Sequence, residues 1–282
     1  MKRTALAWKN LVNDWRRLSL GIAGVAFAAI LMFMQNGFRN ALLDSPVQLI
    51  EMLNCDLVAI SVARYSLPTD QSFPESLYDR ATSEADIVAA TPLFLERVRA
   101  QVRVAGEPRR PIRAIGIEPT AGWFLDPRIE LQLASLQAPE TALLDQRTRS
   151  TYGFHLDSTG QLSQQEIELA DHKIRLVGLI NIGTDFANDG TLLMSRKSFL
   201  HYFPSRQSGK PASGVDLALF QLRTGADKEA VAARLTTLDP QVWKVFTKQA
   251  LINREVQFWN KQTPIGMIFF IEYDRNLSWQ IF

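Results

Sequence analysis

From Leu18 to Phe38 the chain carries no charged side chain, and apolar residues cover every face of the helix this run would form. Twenty-one uncharged residues separate Arg17 from Arg39. At about 1.5 Å per residue that length matches a hydrocarbon core of roughly 30 Å. Lys2, Arg3, Lys9, Arg16 and Arg17 precede the run against a single Asp14, so the positive-inside rule predicts a cytoplasmic N-terminus and an outer main region. A cleaved signal peptide is the main competitor. Its small-residue site would be Ala26-Phe27-Ala28, but that lies inside the run, which continues through Ile30, Leu31, Met32, Phe33 and Met34. Ahead of the span, Trp8, Leu11, Val12, Trp15 and Leu18 recur at helical spacing between polar residues. Residues 1–17 therefore read as an amphipathic helix on the inner membrane face, or as the cytoplasmic end of the same membrane helix.

Beyond residue 39 the pattern changes to short alternating stretches. Residues 55–67 (CDLVAISVARYSL) predict a strand, and 72–85 predict a helix entered through Pro74. Val98, Ala100, Val102 and Val104 alternate with arginines and a glutamine. A turn at Gly106–Pro108 and a strand over Ile112–Ile117 would make a hairpin with them. Residues 141–148 predict a strand, and 165–183 two strands turning near Asp171–His172. Asn188-Asp189-Gly190 predicts a tight turn before the strand 191–195, and a short helix over 196–203 stops before Pro204. The last block reads strand (215–223), helix capped by Asp227 with Val231, Leu235 and Leu238 on one face, and strand (241–247). This β–α–β unit matches the strand, helix and hairpin of the first outer block. The β-rich middle then reads as an insertion between two halves of one module.

Composition adds mostly exclusions. The net charge is +2 with 21% of residues charged, and Arg39 to Glu255 holds 24 basic and 26 acidic residues. That balance predicts no nucleic-acid partner. One cysteine, Cys55, allows no internal disulfide. No phosphate loop or nucleophile elbow is present, and His155, His172 and His201 lack metal-site spacing. Residues 185–190 fail as a calcium loop because Ala187 stands at the third position and Arg196 at the twelfth. Arg97, Arg99 and Arg103 read as a solvated strand face rather than an anion site. No catalytic, cofactor-binding or metal-binding residue is expected.

The C-terminal stretch turns apolar through Phe258 and Trp259, as at an outer membrane interface. The apolar part, Pro264 to Ile271, is too short to span a bilayer, and a charged tail follows at 272–282. The pattern predicts an incomplete second span over 258–271 and an aberrant tail, as a truncated or frame-shifted chain would show.

Three stretches bear a resemblance. LAWKNL (6–11), KIRLVGLINIGTDFANDGTLLMSRKSFLHYF (173–203) and EVQFWNKQTPIGMIFF (255–270) look like the permease subunits of MacB/FtsX-type ABC exporters, within them the DevC-like group linked to glycolipid export. The steps Gly183-Thr184-Asp185-Phe186 with Asp189-Gly190, and Thr263-Pro264-Ile265-Gly266 before the second span, carry most of it. The resemblance implies an α+β fold: one transmembrane helix (18–38), then a periplasmic MacB-like domain. Its porter-like subdomain would comprise 39–121 and 214–257, with an inserted β-rich subdomain at 122–213. It implies an inner-membrane protein with no catalysis or cofactor of its own. Its partners would be a separate ABC ATPase, a periplasmic membrane-fusion adaptor, an outer-membrane channel, a second copy and the lipid bilayer. Gly183, Thr184, Asp185, Phe186, Asp189 and Gly190 would shape the adaptor-docking surface, and Thr263–Gly266 the membrane-entry motif. The alternative reading is a single-span, membrane-anchored periplasmic binding or sensor domain.

Overall fold

A computed structural model describes residues 15–44, 47–155, 162, 167–185, 188–207 and 213–261. Phe186, the motif Thr263-Pro264-Ile265-Gly266, the tail 272–282 and most of the expected amphipathic helix lie outside these residues. The fold is mixed α+β: a long apolar helix followed by a sheet-rich domain.

Helix α1 runs from Trp15 to Asp44. Its stretch Trp15–Gln35 has a mean hydropathy of 2.0, and no part of it is buried against the domain. Leu20, Val25, Phe27, Ile30 and Phe33 all stand exposed. It is long and apolar enough to cross a membrane.

Among the described residues, eleven strands form one hydrogen-bonded series in the order β11-β1-β10-β2-β5-β9-β6-β8-β7-β3-β4. They are β1 Leu57–Ser61, β2 Ile87–Glu96, β3 Gln101–Val104, β4 Arg110–Pro111, β5 Arg113–Ile117, β6 Thr141–Asp145, β7 Ile167–Leu169, β8 His172–Ile180, β9 Thr191–Ser195, β10 Leu217–Leu222 and β11 Trp243–Thr247. Strand alternation divides the core in two. Leu57, Ala59, Ala218, Phe220, Leu192 and Met194 face one apolar cluster. Val58, Ile60, Leu217, Leu219 and Leu193 face the other. Helices α3 (Glu75–Ala81), α5 (Arg196–Tyr202) and α6 (Lys228–Thr236) cover the first face with Leu77, Phe199 and Leu235. On the second face lie α2 (Gln48–Met52), α4 (Pro127–Glu130) and α7 (Lys248–Lys261), through Ile50, Ile129 and Leu251.

The last block forms a split unit. β10 and β11 flank β1, with Leu57 opposite both Phe220 and Thr247, antiparallel in each case. Sequence pattern shows β10–α6–β11 as neighbours, and β1 enters between the two strands. β1 is buried along its whole length, which suits a central position. Asp227 caps α6 as expected, its Oδ1 accepting from the Ala230 N–H at 3.0 Å.

The hairpin expected between 98–104 and 112–117 differs in its pairing. β3 pairs with β4, while β5 pairs with β2, Glu96 opposite Ala114. The break falls at 97–100, where the buried Glu96 carboxylate accepts from the Arg99 N–H at 3.0 Å and from its guanidinium at 2.9 Å. The tip then pairs with β7, Val102 opposite Leu169. β8 joins the two layers: His172–Ile174 pair with β7, and Arg175–Ile180 with β6. Hydrogen bonding is also continuous across the boundary drawn at 121/122, because β9 pairs in parallel with β5 from Arg113↔Thr191 to Ile117↔Ser195.

Candidate functional site at the helix-bearing end

One end of the sheet gathers the end of β1, the β2–β3 bend, and the starts of β5, β9, β10 and β11. α7 begins at the opposite end, where the Lys248 N–H donates to the Asp56 carbonyl at 3.0 Å. It runs back along the second face, and at Arg254 and Glu255 it meets the loop after β1. α7 also packs against α1. The two long helices therefore leave the domain side by side at this end.

Gly183, Thr184, Asp185, Asp189 and Gly190 lie at the same end, between β8 and β9. Their expected geometry needs one correction. The tight turn closes between Asp185 and Asn188, whose backbones exchange hydrogen bonds of 3.1 and 3.2 Å, and not at 188–190. Gly190 does not take a positive φ; Gly183 does, at 100°. A Cβ on Gly183 would also collide with the side chain of Gln48 in α2.

A buried polar network pins this segment. Arg113, at the start of β5, donates to Asp185 Oδ2 at 2.5 Å, to the Gly183 carbonyl at 3.3 Å and twice to Thr191 Oγ1 at 3.1 and 2.9 Å. Asp145, fully buried at the end of β6, accepts from the Gly183 N–H at 2.5 Å and the Arg147 N–H at 2.9 Å. Burial pushes the Asp145 carboxyl up and the Arg113 guanidinium down, each against its neighbours. Asp185 also accepts from the Asn188 amide at 2.8 Å, so its carboxylate is engaged by protein donors. At the surface, Arg149 and Asp189 form an exposed pair at 3.1 Å.

A second buried network lies beside it. Asp216, at the foot of β10, pairs with Arg64 at 2.8 Å and with Arg206, and accepts from the Leu95 N–H at 2.8 Å. Burial pushes its carboxyl up to about 6 against the pull of both arginines. Between the two networks runs a narrow cleft of about 40 Å³, bordered by Ile50, Leu67, Arg97, Arg113, Asp185 and Asn188. That is near the volume of one water molecule. Sequence reasoning missed Arg64, Asp145 and Asp216, because nothing local distinguishes a buried charge from a surface one.

Elsewhere, His172 and His201 come together with ring centroids 5.8 Å apart, and Glu140 lies 3.7 Å from His201. Among the described residues no three ligating side chains gather as a metal site would require. Arg99 is paired with Glu96 and Arg103 with Glu168, as a solvated strand edge allows. Burial pushes the Cys55 thiol up to about 12, so it stays protonated and unreactive at neutral pH.

Neither a protein-family model nor a curated protein matches the chain. Among solved structures, the chain is similar to the periplasmic region of MacB from Actinobacillus actinomycetemcomitans. The identity is 12% over 72% of this chain and 94% of that one, with a TM-score of 0.46. It is also similar to the extracellular domain of the ABC-type transporter YknZ from Gram-positive bacteria. There the identity is 9% over 68% of this chain and 99% of that one, with a TM-score of 0.42.

Proposed function

We propose that the chain is a permease subunit of an ABC-type exporter, anchored in the inner membrane with a cytoplasmic N-terminus and a periplasmic domain. A separate ATPase supplies the energy. A periplasmic adaptor and an outer-membrane channel continue the route, two copies work together, and glycolipid is the cargo class. The chain itself performs no catalysis. The sequence stretches quoted above support this reading. The structural observation that carries it is the adjacency of α1 and α7 at one end of the domain. A domain gripped by two neighbouring helices moves when the helices move, which is what a subunit driven from across the membrane requires.

The adaptor is proposed to contact the segment Gly183–Gly190, whose Arg149–Asp189 pair is its exposed feature. The buried Arg113 and Asp145 fasten Gly183 and Asp185, which keeps the cost of ordering those two residues on binding low.

Thiol labelling in intact cells tests the topology. With Cys55 replaced by Ser, a membrane-impermeant reagent should label Val88→Cys and spare Lys9→Cys; the reverse pattern rejects the orientation. Capture of the solubilised full chain should bring down an ATPase subunit whose hydrolysis the chain alters. A correctly oriented chain that recovers none favours the anchored binding or sensor domain instead. Asp189→Lys, with the fold intact, should weaken adaptor binding, and unchanged binding rejects the docking role.

A further inference from the structure

Val62 and Tyr65 in the loop after β1, and Val98 at the β2–β3 bend, are exposed at the end of the domain from which α1 and α7 leave. Tyr65 is 60% exposed, yet it is not loose. Its ring lies 5.6 Å from that of Phe258 on α7, and Phe258 lies 5.9 Å from Trp259. Arg254 Nη2 donates to the carbonyls of Arg64 and Tyr65 at 2.7 and 3.2 Å. Glu255 Oε1 accepts from both the Leu67 N–H and the Trp259 Nε1–H, each at 3.0 Å. The loop is thus fastened to the last turns of α7 and shares their depth.

The charges around it are mixed: Asp70 stands exposed in the loop itself, and Arg97, Arg254 and Lys244 are the cations beside it. Arg254 and Lys244 lie over the Phe246 ring at 5.4 and 5.2 Å. Arg97, across the cleft from Leu67 and Pro68, has no ion-pair or hydrogen-bond partner among the described residues. Tyrosine and tryptophan with arginine and lysine at their edge is the composition of a membrane interface.

Distance agrees. The span ends between Gln35 and Phe38, and the helix continues six to nine residues to Asp44, about 9–13 Å. The headgroup layer takes up about 5–7 Å of that rise. What remains is on the order of 2–8 Å, which keeps this end of the domain beside the headgroups.

We infer that this end of the domain is a lipid-contacting foot: the loop 62–70, with Phe258 and Trp259, seats in the headgroups of the membrane that α1 crosses, and Arg97 faces anionic lipid. This rests on the reading of α1 as a span. The partner is the lipid surface itself, because the anchor holds this end beside it at all times.

The full chain, with Cys55 replaced by Ser, is reconstituted in phosphatidylcholine vesicles with or without phosphatidylglycerol. An environment-sensitive fluorophore is placed at Tyr65→Cys, at Val88→Cys on the opposite end, or at Leu31→Cys in α1. Val62→Cys reads the same surface if Tyr65→Cys disturbs the Phe258 contact. Headgroup-nitroxide lipid should remove most of the emission at position 65 and leave position 88 bright. Arg97→Gln should lower the seated-to-unseated ratio about fivefold in anionic vesicles and leave it unchanged in neutral ones, the worth of one basic residue at such a surface. Equal quenching at 65 and 88 overturns the proposal. So does a probe at 65 shielded from both lipid nitroxide and aqueous iodide, which would place a second copy or another protein there. An Arg97→Gln chain with an unchanged ratio overturns the assignment of anionic lipid. If acyl-chain nitroxide fails to quench position 31, the span reading falls and the foot falls with it. If position 31 is quenched and 65 is not, the foot alone is wrong.

Discussion

Glu255 and Leu67 lie 188 residues apart and are joined by a hydrogen bond of 3.0 Å, the Leu67 N–H donating to Glu255 Oε1. The carboxylate is fully buried, and its other oxygen, Oε2, has no hydrogen-bond partner among the described residues. Burial pushes its carboxyl up. Glu255→Gln keeps the accepting oxygen and removes the buried charge, so it should leave stability unchanged or raise it at neutral pH. Glu255→Ala strands the Leu67 and Trp259 donors and should cost about 1–3 kcal/mol. Urea unfolding of the solubilised chain separates the two, and equal losses in both variants would contradict the role given to Oε1.

Asp216 is the acid of the buried triad with Arg64 and Arg206. Asp216→Ala removes the acceptors of both buried guanidinium groups and of the Leu95 N–H and should cost about 3–5 kcal/mol. Its titration gives a second readout. Burial raises the carboxyl from 3.8 to about 6, so the native state holds this proton to higher pH than the unfolded chain. The contribution is full below pH 3.8 and is lost as pH rises through about 6. Unfolding free energy measured across that window should fall with pH more steeply in the parent than in Asp216→Asn; parallel slopes would show that Asp216 does not titrate there.

Arg113 holds Asp185, Gly183 and Thr191 together. Arg113→Ala removes the cation that joins Asp185, Gly183 and Thr191 in a half-dry site and should cost about 3–5 kcal/mol. Because the network is local, amide exchange should rise first across 183–191 and leave β1 and β10 protected. Uniform acceleration over the whole sheet would show that the network serves the global fold.

Gly116 sits in β5 directly beneath Phe199 of α5. A Cβ there would fall 2.6 Å from the Phe199 ring. Gly116→Ala should therefore cost about 1–3 kcal/mol by overpacking. Adding Phe199→Leu should recover part of that loss in a double-mutant cycle, and strict additivity would mean that the two positions do not press on each other.

Sequence alone determined what depends on neighbours in the chain. The uncharged run before Arg39 is a helix because apolar length needs no partner to be recognised. Asp227 caps α6 because capping is settled within three residues. Ala170 and Asp171 adopt positive φ where the 165–183 stretch was expected to turn. Alternation also gave the strands and the mixed α+β class. What it left open was partnership. A strand's pattern states which faces are apolar and not which strand lies beside it, so β1 between β10 and β11, and β5 beside β2 and β9, emerged only from tertiary packing. The turn at Asp185–Asn188 escaped for a related reason: its position is set by Arg113, some seventy residues earlier, and not by the Asp189-Gly190 dipeptide. Arg64, Asp145, Asp216 and Glu255 read as ordinary polar residues in the sequence. Only the folded chain removes their water and supplies their partners from distant segments, and that exchange is what made them part of the helix-bearing end.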